Sequence, residues 1–101
     1  MEQRIKTLHP QGKRGVHISG DKYHLVRIQM ILALEEFGEL TLSELKDAVA
    51  AHLEGRFDGS IPWHVDWVKL DLEARGELER TAGVSPQRYR LTGSLPGMSA
   101  A

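Results

Sequence analysis

The sequence predicts an α+β chain of three helices followed by a two-stranded antiparallel hairpin, with an N-terminal arm ahead of them. Three observations carry that expectation. Apolar residues recur at helical spacing through residues 23–37, 45–53 and 61–75, the period turns to alternation after Gly76, and glycines stand at the switches, Gly38, Gly55 and Gly76. A chain of 101 residues supplies one hydrophobic core. The expected organisation is an arm over 1–20, a folded domain over 21–92 and a flexible tail of small residues over 93–101.

The arm contains Pro10, Gly12, Gly15 and Gly20, with Ile5, Leu8, Val16 and Ile18 as anchors, and Val16-His17-Ile18 reads as a short strand. Asp21 offers an N-cap to the first helix. Leu25, Ile28 and Leu32 follow one apolar line there, and Val26, Met30, Ala33 and Phe37 a neighbouring one, so a wide stripe predicts the most buried helix of the three. The second helix opens on Thr41-Leu42-Ser43-Glu44, a capping box, with Leu40 and Leu45 placed as a hydrophobic staple. Leu45, Val49 and Leu53 form its inward line. Ser60 caps the third helix, Pro62 sits in its first turn, and Gly76 stops it after about Arg75. Leu78, Tyr89 and Leu91 must share the core face of the final hairpin. That requirement pairs Leu78 with Leu91, Glu79 with Arg90 and Arg80 with Tyr89.

Composition excludes several classes of function. Hydrophobic residues make up 41% and charged residues 27%, too apolar for a disordered chain. The absence of cysteine removes disulfides, thiolate nucleophiles and cysteine-ligated metal sites. No apolar run approaches the ~18 residues of a membrane span, and no signal-peptide core is present, so a cytoplasmic protein without membrane contact is expected. The net charge of −1 hides a segregation: +4 over residues 1–27, −8 over 28–79 and +3 over 80–101. If the two ends meet in space they make one basic surface; otherwise they neutralise the acidic middle.

The order helix, short extended link, helix, loop, helix, hairpin resembles the winged-helix domain. The carriers are Gly38-Glu39-Leu40-Thr41-Leu42-Ser43-Glu44-Leu45, and Leu72-Glu73-Ala74-Arg75-Gly76-Glu77-Leu78-Glu79-Arg80 running into Arg88-Tyr89-Arg90-Leu91-Thr92. The resemblance covers about residues 21–92 and is similar to the N-terminal domains of Mrr-type restriction endonucleases and to small bacterial transcription regulators. With its Gly12-Lys13-Arg14-Gly15-Val16 arm and Phe57-Asp58-Gly59-Ser60-Ile61 loop, the whole chain also resembles a small bacterial family of unknown function. A winged helix implies either DNA binding or protein association, because the fold serves both.

The third helix gives no clean base reader. Ile61, Val65, Val68 and Leu72 form its core stripe, and Trp63, Trp67, Leu70 and Ala74 lie nearly opposite. The flanks carry Pro62, Asp66, Lys69 and Glu73 on one side and His64, Asp71 and Arg75 on the other, and the chain has no asparagine. Two tryptophans one turn apart demand a cover, from the arm, the hairpin or a second protein.

Two functional readings follow. In the first, a regulator-like module grips double-stranded DNA with Lys13 and Arg14 of the arm and Arg80, Arg88 and Arg90 of the wing on phosphates. In the second, Trp63, Trp67 and Leu70, or the acidic helices, bind another protein or a second copy, without DNA. Neither reading is enzymatic. Ser43 and Ser60 read as helix-start residues, Gly12-Lys13-Arg14-Gly15 lacks the spacing of a phosphate loop, and His9, His17, His24, His52 and His64 lack metal-ligand spacing. No cofactor is expected.

Overall fold

The computed structural model describes residues 3–93, so the expected flexible tail lies, from Ser94 onward, outside the described residues. The elements in chain order are strand β1 (Arg4–Lys6), strand β2 (His17–Ser19), helix α1 (Gly20–Phe37), strand β3 (Leu40–Thr41), helix α2 (Leu42–Leu53), helix α3 (Ile61–Ala74), strand β4 (Leu78–Arg80) and strand β5 (Arg88–Leu91). The chain is thus α+β, with three helices and two small antiparallel sheets.

The arm folds as a β-hairpin, with Arg4 opposite Ser19, Ile5 opposite Ile18 and Lys6 opposite His17. Backbone bonds extend it at both ends, from Thr7 N–H to the Val16 carbonyl (2.8 Å) and from Gly20 N–H to the Gln3 carbonyl (2.6 Å). Gly15 is required by that closeness: a β-carbon there would sit 1.9 Å from the Thr7 carbonyl oxygen. The contact with Gln3 also moves the start of α1. Ser19 occupies the N-cap in place of the expected Asp21, with no hydrogen bond from its side chain to the helix.

In α1 the structure corrects the sequence reading. Tyr23, Val26, Met30, Ala33 and Leu34 are buried, but Leu25, Ile28, Leu32 and Phe37 of the predicted wide stripe are 39%, 50%, 52% and 59% exposed. The two other helices and both sheets cover one side of α1; among the described residues no element covers the other. Periodicity identified both apolar lines, but only one has a neighbour.

The capping box at α2 is present as expected. Thr41 Oγ1 accepts from Glu44 N–H (3.1 Å), and the Glu44 carboxylate accepts from Thr41 N–H (2.8 Å). That second bond holds the Glu44 carboxyl below its ordinary range. Ser60 caps α3 by accepting from Trp63 N–H (3.2 Å), and Gly76 at φ +77° carries the chain out of the helix.

The register of β4 against β5 is the expected one, Leu78 with Leu91, Glu79 with Arg90 and Arg80 with Tyr89. The sheet has a third strand, however, since β3 pairs with β5 through Leu40–Tyr89 and Thr41–Arg88, giving the order β3-β5-β4. Two residues are too short to show an alternation in sequence. Leu40, Leu78 and Tyr89 bring this sheet onto the helices, and Ile18 brings the hairpin into the same core.

Candidate nucleic-acid interface

The five bases singled out in the sequence fall into two chemically different sets. Arg80 Nε donates to Glu73 (2.7 Å), Arg90 Nε donates to Glu79 (2.6 Å) and lies 3.9 Å from Glu39, and Arg88 lies 3.9 Å from Glu44. Each arginine of β4 and β5 therefore faces a carboxylate. The hydrogen bond that Arg80 donates to Glu73 raises its guanidinium further above the ordinary range. Lys13 and Arg14, by contrast, are exposed on the loop of the arm hairpin and have no carboxylate partner among the described residues. Arg4 and Lys6 on β1 share that condition, and the fifth free base is Arg56, after α2.

The hairpin presents these bases because its apolar residues are used elsewhere. Ile18 is buried in the core, and Ile5 and Val16 pack against it; only Leu8 of the four anchors is exposed. Gly12, at φ +74°, closes the turn through its N–H to the His9 carbonyl (2.9 Å). Lys6, Lys13 and Arg14 then surround an open depression of about 570 Å³ that reaches Ala74 of α3.

One buried carboxylate locks the hairpin to the helices. Asp71 is 0% exposed and accepts hydrogen bonds from Leu8 N–H (2.8 Å), Arg75 Nε (2.8 Å) and the Tyr23 hydroxyl. These donors come from the arm, α3 and α1. Burial and the neighbouring carboxylate push the Tyr23 hydroxyl well above the ordinary phenol range, so it stays a donor. The same carboxylate raises Arg75.

This corrects the placement of three residues expected on the polar flanks of α3. Asp71 and His64 are buried under the arm side, and Lys69 is buried beneath the sheet with its ammonium on Glu73 (2.9 Å) and 4.8 Å from the Tyr89 ring centre. An idealised wheel treats everything outside the core stripe as open. Here the hairpin and the three-stranded sheet close over both shoulders of α3.

The tryptophan stripe is only partly covered. Trp67, Leu70 and Ala74 are half-buried, whereas Trp63 remains 41% exposed, its ring centre 6.3 Å from that of Trp67 and 4.9 Å from that of His64. Trp63 shares a second pocket with Arg4, His17, Lys22 and His64, where the hairpin meets the first turns of α1 and α3. Sequence reasoning passed over Arg4, Lys6, Lys22 and the two histidines as site residues. The charge excess of residues 1–27 was the available signal.

Among the described residues no three His, Asp or Glu side chains converge as a metal site. No described helix is long and apolar enough to cross a membrane.

Fold and site together describe a small α+β domain with a cationic hairpin. The chain belongs to a family of unknown function, DUF6958, whose model matches residues 4–89 and so takes in hairpin, helices and sheet as one unit. No curated protein and no solved structure matches the chain.

Proposed function

We propose that this chain is a winged-helix nucleic-acid-binding module, regulator-like in character, that holds duplex DNA by its phosphates through the N-terminal hairpin. The observation that carries this reading is the division of the bases. Arg4, Lys6, Lys13 and Arg14 on one hairpin have no carboxylate partner among the described residues, whereas Arg80, Arg88 and Arg90 already face carboxylates. A phosphate competing for a wing arginine must displace an ion pair; at the hairpin it displaces only water and counterions. The order of three helices with a β3-β5-β4 sheet supports a winged helix, and α3 supplies no asparagine, glutamine or free arginine to read base edges. Affinity without base readout is the corresponding behaviour.

Titration of a labelled duplex at low salt tests it. Lys13→Ala/Arg14→Ala weakens binding alike on unrelated sequences, and Arg88→Ala/Arg90→Ala weakens it much less. Absence of duplex binding by the wild type at low salt removes the reading.

A second reading, association with another protein, is favoured by α1. Its exposed Leu32 and Phe37 border a groove of about 580 Å³ against α2, rimmed by Glu36, Glu44 and Asp47, and Leu25 and Ile28 continue the apolar line. Sedimentation of the wild type against Leu32→Glu detects self-association through this face.

A further inference from the structure

The pocket between the hairpin and the starts of α1 and α3 has a composition that neither the core nor the hairpin's packing requires. It measures about 380 Å³, toward the lower end of the about 300–1,000 Å³ range of small-molecule sites. Arg4, Lys22 and His17 supply cationic or proton-donating groups, Trp63 and His64 supply rings, and no carboxylate lines it. Arg4 has no ion-pair partner among the described residues, and the Lys22 ammonium lies 3.9 Å from a fully exposed Asp58 and 5.7 Å from the Phe57 ring centre.

Backbone electrostatics add to these side chains. Ser19 is the N-cap of α1, while Trp63 and His64 stand in the first turn of α3, so the positive ends of both helices open at the same place. Two further features point to a ligand. His64 is 8% exposed and oriented by Nδ1 against the Ser60 carbonyl (2.7 Å), and its other ring nitrogen has no hydrogen-bond partner among the described residues. The Ser19 hydroxyl, also at this pocket, is buried with no hydrogen-bond partner among the described residues. A rigid ring beside the Arg4 and Lys22 cations and an open indole provides for a phosphate and a planar group at once.

We propose that this pocket binds a single nucleotide, its phosphate at Arg4 and Lys22 and its base stacked on Trp63. This inference rests on the nucleic-acid reading and deepens it: the hairpin holds the backbone, and the pocket takes one unstacked nucleotide or a phosphorylated strand end. A free mononucleotide offers the same chemistry, so the test separates the two sources.

The probes are thymidine 5′-monophosphate, thymidine, inorganic phosphate and a 5′-phosphorylated thymidine tetranucleotide, followed by tryptophan emission and by amide shifts of Ser19, Lys22 and Trp63. The mononucleotide is expected to quench Trp63 saturably and to bind about tenfold or more tighter than phosphate or thymidine alone. Trp63→Leu lowers its affinity to that of phosphate; Arg4→Gln/Lys22→Gln weakens nucleotide and phosphate together by about tenfold. Unchanged thermal melts confirm that the variants are folded, as expected for exposed or half-buried positions. A tetranucleotide that binds about tenfold tighter than the mononucleotide assigns the pocket to a strand, and equal affinity assigns it to the free nucleotide. The proposal is overturned if mononucleotide and phosphate bind equally, if neither binds, or if Trp63→Leu changes nothing. Duplex binding measured on the same samples keeps the two ideas apart. Its retention without nucleotide binding defeats the pocket alone, and its absence in the wild type defeats the hairpin reading.

Discussion

Replacing Asp71 by alanine removes the acceptor that three elements share. Asp71 is fully buried, and one of its donors, the Tyr23 hydroxyl, lies where little water can replace it; Leu8, 45% exposed, and the Arg75 side chain, 40% exposed, can turn in part to solvent. A buried donor left without an acceptor costs about 1–3 kcal/mol, so the Tyr23 hydroxyl, with a partial loss at the half-open Leu8 N–H, makes a loss of roughly 3 kcal/mol. Against a total stability of about 5–15 kcal/mol for a domain of this size, that is a large fraction. Urea melts followed by circular dichroism measure it. Asp71→Asn, which keeps one acceptor and loses the charge, is expected to fall between wild type and Asp71→Ala. Hydrogen exchange gives the local readout, because the Leu8 amide loses protection in Asp71→Ala more than the amides of α2 do. If Asp71→Ala costs less than about 1 kcal/mol, water reaches these donors and the carboxylate does not lock the hairpin down.

Tyr23 gives a pH signature for the same cluster. Its folded-state value lies above the ordinary 10.0, so the stabilisation is complete below pH 10 and declines as pH rises beyond it, with a slope of up to about 1.4 kcal/mol per pH unit; Tyr23→Phe removes that component of the slope. Thr41→Ala breaks the capping box and lowers stability by about 1 kcal/mol, and superimposable urea melts of mutant and wild type contradict it. Leu78→Ala opens the junction of sheet and helices at a residue 2% exposed and costs about 2–5 kcal/mol, whereas Ile28→Ala on the exposed side of α1 stays within about 0.5 kcal/mol in a monomer.

Local chemistry was legible in the sequence wherever it was local in the chain. The Thr41–Glu44 box, the Ser60 cap, the glycines after each helix and the β4–β5 register each depend on residues a few positions apart, or on two strands joined by a short turn. What stayed hidden depends on contacts between distant segments. The pairing of β1 with β2 across ten intervening residues turned an arm into a hairpin and moved the start of α1 from Asp21 to Ser19. Asp71 looked like a solvated flank residue because its three donors lie on the arm, on α1 and one turn along α3. The Leu25–Ile28–Leu32 line looked buried because periodicity reports an apolar face and not what covers it. For the site, the basic ends were visible as a charge count. The Glu79–Arg90 pair followed from the hairpin register, but Arg80–Glu73 and Arg88–Glu44 did not, since they join residues that only the fold brings together.

The central claim is that the hairpin, and not the wing, supplies the free cationic surface for phosphate. The salt dependence of duplex binding tests it most directly, because the slope of log K against log salt counts displaced counterions at about 0.9 per phosphate contact. Wild type is compared with Arg4→Gln/Lys6→Gln/Lys13→Gln/Arg14→Gln and with Arg80→Gln/Arg88→Gln/Arg90→Gln, each checked for an intact fold. The hairpin variant is expected to lose most of the slope, on the order of three units, and the wing variant less than about one. A slope that survives the hairpin substitutions and collapses with the wing substitutions contradicts it.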